Sequence, residues 1–122
     1  MVLMAVLMFA SCGKGDSSSS PRDIVDELIS YTVAYRNEIK VAVENDYTEK
    51  FVLALEKYVD KVQGIKAALE KVDKNNVPAN KMELYRSVSN EAGELVRYAE
   101  EYMSFSEFQQ ERIIRAFEKL DF

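Results

Sequence analysis

The chain has no histidine and no tryptophan, and only one cysteine, two prolines and four glycines in 122 residues. Most of these shortages exclude a class of chemistry. Without histidine, the commonest general base and the commonest metal ligand are both missing, so neither a serine–histidine hydrolase nor a Glu-x-x-His di-iron bundle can be assembled. One cysteine permits no internal disulfide. Basic residues number 16 against 21 acidic ones, for a net charge of −5, and no lysine/arginine cluster occurs. Counterion release from nucleic acid and adhesion to anionic lipid both need such a cluster, so nucleic acid is not an expected partner. No apolar run reaches the roughly 20 residues of a membrane-spanning helix. With glycine and proline scarce, the abundant Leu, Ala, Glu, Lys and Val favour helix. A hydrophobic fraction of 48% with 30% charged residues is the balance of one folded domain.

The first twenty residues differ from the rest. Positions 2–10, VLMAVLMFA, form an uninterrupted apolar run, about half the length of a membrane span and suited to the apolar core of a secretory signal. It closes in Phe9-Ala10-Ser11-Cys12, which resembles a lipobox, the cleavage site of bacterial lipoprotein signal peptidase. The resemblance implies cleavage before Cys12, acylation of that cysteine and residence in the cell envelope, periplasmic or surface-exposed. Phe9 stands where leucine is usual, and no basic residue precedes the run, which points to a start upstream of Met1. GKGDSSSS at 13–20 carries no apolar side chain and reads as a flexible tether with an r.m.s. span of about 15 Å. The expected organisation is therefore a signal peptide at 1–11, a lipidated cysteine and tether at 12–20, and a domain at 21–122. The alternative packs 1–11 into a cytosolic domain, with Cys12 a small buried hydrophobe.

The domain is patterned as helix. Ser20-Pro21-Arg22-Asp23 offers a capping serine, a proline in the first turn and an early acid. Helix 1 is predicted over 21–44, burying Val25, Leu28, Ile29, Thr32, Tyr35, Ile39, Ala42 and Val43. Asn45-Asp46 reads as a turn, with Asp46 or Thr48 capping helix 2. The stripe Phe51, Leu55, Tyr58, Val62, Ile65, Leu69, Val72 alternates steps of four and three, like a bundle seam. Helix 3 is predicted from a capping pair Asn80/Glu83 to about Met103, with Tyr85, Val88, Ala92, Leu95, Ala99 and Tyr102 inward. Ser106 and Gln109 then open a shorter helix 4 with Phe108, Ile113, Ala116, Phe117 and Leu120 inward. Short connections make successive helices antiparallel neighbours, so the expected fold is an all-α, antiparallel up-and-down bundle of three long helices and a shorter fourth. A monomer is expected. If helix ran unbroken through Asn45-Asp46, the uncovered stripe would require a swapped dimer.

Little in this pattern carries chemistry. Glu91/Glu94 and Glu56/Asp60 share faces off the apolar stripe and read as solvated, so no metal or cofactor is expected. Asp46–Lys50, Glu70–Lys74 and Glu111–Arg115 have the stabilising i,i+4 order. No nucleophile has an activating base, and no enzymatic activity is expected. Seven tyrosines stand out. Tyr31/Tyr35 and Tyr98/Tyr102 pair at i,i+4 near the core border, where an apolar ring with a polar tip serves packing or partner recognition. Phe105-Ser106-Glu107-Phe108-Gln109 resembles, in one copy and with Phe and Ser for Leu and Thr, the Leu-Thr-x-x-Gln element of small periplasmic helical chaperones of the Spy and CpxP type. The expected function is a membrane-tethered helical interaction or structural module that binds an envelope protein. A periplasmic chaperone or stress sensor is the alternative.

Overall fold

The computed structural model describes residues 21–120; the signal peptide, lipobox, Cys12 and tether expectations lie outside them. The described chain is all helical: α1 (Pro21–Glu44), α2 (Thr48–Gly64), a short α3 (Lys66–Glu70), a 3₁₀ turn (Lys74–Asn76), α4 (Ala79–Tyr102) and α5 (Glu107–Leu120). Three long helices and a shorter fourth make the bundle that the periodicity predicts.

Asp46 stops α1. Its φ of 57° places it in the left-handed region, and the N–H groups of Asp46 and Tyr47 return to the carbonyls of Val43 and Ala42 at 3.3 and 2.8 Å. That is the Schellman pattern, with an aspartate where glycine is usual. The chain therefore turns at Asn45–Tyr47, and α1 and α2 cover each other's apolar stripes within one molecule. Neither Asp46 nor Thr48 caps α2. Its N-cap is Tyr47, without a side-chain hydrogen bond, because Asp46 is committed to closing α1.

Cross-helix contacts give the directions. Lys57 meets Glu38 and Tyr58 meets Thr32, so α2 runs antiparallel to α1. Asp26–Lys81 and Arg36–Glu91 pair in the same order along both chains, so α4 runs parallel to α1. Gln109 reaches Thr48 and Gln63 reaches the Lys119 carbonyl, so α5 runs parallel to α2. The path is up, down, up, down. However, α1 packs on α2 and α4, and α2 packs on α5, while α4 and α5 make no close backbone approach. The four residues between them, Met103–Ser106, cross the end of the bundle: Met103 is buried, and the Phe105 ring packs 5.4 Å from that of Phe51.

The core centres on Ile39, Phe51, Val52, Leu55 and Val59, all essentially inaccessible to solvent. Each is worth about 1.5–3 kcal/mol by burial. Thr32 is the polar member. Its hydroxyl donates to the Leu28 carbonyl at 2.7 Å, so it accepts from the Tyr58 hydroxyl at 2.9 Å. Among the described residues, no buried side-chain polar atom lacks a partner.

Several expectations are corrected. Helix 2 does not run to Val72; it breaks at Ile65, beside Gly64, where the Ile65 N–H shortens its bond to Val62 at 3.1 Å. Ile65, Leu69 and Val72 are consequently half-buried. Asn80 and Glu83 form no cap, since α4 begins at Ala79 behind Pro78, whose fixed φ starts the helix. Tyr102 and Phe108 are 66% and 64% exposed, and Phe117 is also exposed. Tyr102 ends α4 and Phe108 opens α5, and these two helices make no close approach, so neither covers the other there. Of the three i,i+4 ion pairs only Glu111–Arg115 forms, at 3.7 Å. By contrast, the Ser106/Gln109 capping box is complete. The Ser106 N–H donates to Gln109 Oε1 at 3.0 Å, and the Gln109 N–H donates to Ser106 Oγ at 3.1 Å.

Candidate interaction surface

The four tyrosines singled out by spacing have different surroundings. Tyr35 is 7% exposed and stacks face to face on Tyr58, with centroids 4.3 Å apart and planes 6° from parallel. Burial, then the neighbouring Tyr58 hydroxyl, raises its pKa above the ordinary phenol value. Burial likewise raises the pKa of Tyr58. Tyr31 is half-buried. Its hydroxyl donates to Glu27 at 3.1 Å, and the Lys61 ammonium lies 5.2 Å from its ring. Desolvation, then the Glu27 carboxylate, raises its pKa. These two tyrosines hold α1 to α2. Tyr98 and Tyr102 are 50% and 66% exposed and touch each other, with ring centroids 4.7 Å apart. The structure does not join the α1 pair to the α4 pair.

The α4 pair has other company. The end of α1, the start of α2, the end of α4 and the start of α5 all lie at one end of the bundle. Six of the nine exposed large apolar residues lie toward that end, Val41, Tyr47, Leu53, Tyr98, Tyr102 and Phe108, while Leu84, Ile114 and Phe117 lie further along the bundle. Pro21, where the 13–20 segment joins, lies at the opposite end, the length of α1 away, about 36 Å at 1.5 Å per residue. Charge follows the same axis. Glu44, Asp46, Glu94, Glu100, Glu101 and Glu107 are exposed at the aromatic end, against Lys40, Lys50 and Arg97. Near the other end Lys71, Lys74, Arg86 and Arg115 offset Glu70, Asp73 and Glu83.

A polar clamp that sequence reasoning missed holds α5 in place. Arg112 makes a forked pair with Glu56, Nε to Oε2 at 2.9 Å and Nη2 to Oε1 at 2.7 Å. Its Nη1 meets both Glu49 oxygens at 3.0 and 2.9 Å. Gln109 Nε2 adds bonds to Thr48 and Glu49 at 3.2 and 3.1 Å. These contacts hold the Glu49 carboxyl below the usual range, Gln109 first and Arg112 second. Arg112 does the same for Glu56, and the two carboxylates raise the guanidinium pKa. The available sequence signal was Glu49 and Glu56, two turns apart on one side of α2.

A shallow groove of about 490 Å³ runs between α1 and α2, with Val41, Leu53 and Ala54 on its floor and Lys50 and Lys57 on its rim. Among the described residues, no group of three or more acidic or cysteine side chains is disposed to hold a metal. None of their helices is long and apolar enough to cross a membrane. No family model, curated protein or solved structure matches the chain.

Proposed function

We propose that the chain is a lipid-anchored binding module of the bacterial cell envelope, tethered through Cys12, which presents the far end of its bundle to a protein partner. One observation carries the reading. Six large apolar residues, four of them aromatic, stay exposed at the end opposite the tether, where a partner reaches them and the bilayer does not. Tyrosine and phenylalanine are the residue types that dominate interface energetics. Catalysis forms no part of this reading.

The anchor and the surface are tested separately. Cys12→Ser should move the protein from the membrane fraction to the soluble fraction, or leave an unprocessed precursor, as read by intact mass. Unchanged membrane association with no mass difference would contradict the anchor. For the surface, the lipidated protein is purified from detergent-solubilised envelopes beside Tyr98→Ala/Tyr102→Ala and Leu84→Ala. The expected result is an envelope protein retained by the parent and by Leu84→Ala and lost from the tyrosine variant. Equal retention by all three would overturn it.

A second reading, a small periplasmic chaperone, draws on the groove floored by Val41 and Leu53. It requires that the protein suppress aggregation of a reduced, unfolded client at equimolar ratio, and that Leu53→Glu abolish the effect.

A further inference from the structure

The chain already supplies cations to some of its own aromatic rings. Lys50 sits 4.9 Å from the Tyr47 centroid, Lys61 lies 5.2 Å from that of Tyr31, and the Arg112 guanidinium lies 5.6 Å from that of Phe108. Tyr98 and Tyr102 are the exposed ring pair, in mutual contact, and no cation of the described residues stands over either. Glu94, Arg97 and Glu101 stand beside them on α4, all three exposed, two acids to one base. Glu94 precedes Tyr98 by one turn, and Glu101 follows it by three residues. Both carboxylates are exposed, and neither has an ion-pair partner among the described residues. Glu91, further down the same face, is satisfied by Arg36.

We propose that the Tyr98–Tyr102 pair, with Glu94 and Glu101, docks an arginine- or lysine-bearing segment of a partner protein. The inference rests on the binding-module reading and specifies the partner's chemistry. An aromatic face attracts a cation through its quadrupole, best for a guanidinium stacked flat on the ring. A carboxylate within a turn of each ring supplies the hydrogen-bonding acceptor that the same guanidinium needs. The fit is charge-selective: an acidic or neutral segment gains only the apolar contact, and anionic lipid headgroups are repelled. An aromatic pair without acids would suit any apolar partner, and acids without the rings would suit any cation in solution. Here both occur on one helical face.

The test uses the full chain in maltoside micelles and a fluorescein-labelled Gly-Arg-Arg-Arg-Arg-Gly peptide, followed by fluorescence anisotropy, with the citrulline peptide as its uncharged counterpart. The arginine peptide should bind, more weakly as salt rises, and the citrulline peptide should bind at least tenfold more weakly. Tyr98→Ala/Tyr102→Ala and Glu94→Gln/Glu101→Gln should each weaken binding about tenfold, while Tyr98→Phe/Tyr102→Phe, which keeps the ring faces, should retain it. Glu70→Gln/Glu83→Gln makes the same change in net charge at the other end and should leave binding unchanged. Circular dichroism on each variant reports whether the fold is intact. The proposal is overturned if citrulline binds as well as arginine, if the ring variant binds like the parent, or if the Glu70/Glu83 control weakens binding equally. Loss of peptide binding selectivity together with retained, tyrosine-dependent capture of an envelope protein would reject the basic partner and leave the binding module standing.

Discussion

Leu55 and Ile65 sit on the same seven-residue seam, and a sequence pattern treats them alike. In the fold Leu55 is fully buried in the core, whereas Ile65 occupies the break after Gly64 and is only half-buried. Leu55→Ala should therefore cost about 2–5 kcal/mol, the usual loss for emptying a buried aliphatic position. Ile65→Ala should cost no more than about 1–2 kcal/mol, and urea titration of the two variants separates them. Asp46 gives the opposite sign. Its left-handed φ of 57° strains a residue with a Cβ and suits glycine. Asp46→Gly should stabilise the domain by up to about 1 kcal/mol, read as a higher melting temperature. A lower melting temperature would show that the aspartate contributes something beyond closing the turn.

At the scale of the element, α1 was readable because both its ends carry punctuation: Ser20-Pro21 at the start and Asn45-Asp46 at the stop. The break in helix 2 was not, since the 4–3 stripe continues in register through Ile65 and periodicity has no feature that marks a one-residue interruption. The placement of α5 was also hidden. A four-residue connection suggests adjacent helices, but Met103 and Phe105 fill the end of the core themselves and carry the chain across it, so α5 docks on α2. Its apolar contact is narrow, with Ile113 and Ala116 buried and Leu120 half-buried, so the Arg112 clamp matters more than a surface pair usually does. Glu49 and Glu56 have folded-state pKa values below the ordinary 4.5. The unfolded chain takes up these protons first as pH falls. Their stabilisation is thus complete above about pH 4.5 and is lost as pH drops through the lower folded-state values. Hydrogen exchange should show α5 amides losing protection ahead of α1 as the pH falls below about 4.5. Arg112→Met should flatten that pH dependence, and a profile unchanged by Arg112→Met would assign the acid sensitivity elsewhere.

At the scale of the whole molecule, the bundle differs from end to end: α1 begins at one end, and exposed aromatic and acidic residues stand at the other. The sequence supplied the tyrosine pairs. It could not reveal that Tyr31 and Tyr35 belong to the α1–α2 interface while Tyr98 and Tyr102 remain outside, because i,i+4 spacing near a core border is common to both. Nor could it place Val41, Tyr47, Leu53 and Phe108 at the same end of the bundle, since that depends on which helix ends meet. The reading of the molecule stands on this end-to-end asymmetry, and site-specific photo-crosslinking in intact envelopes measures it directly. A benzophenone amino acid is placed at position 102, at the far end, or at position 84, toward the tether. The expected result is a discrete crosslinked protein from position 102 and none from position 84. Crosslinks from position 84 alone, or only lipid adducts from position 102, would contradict a partner-facing far end.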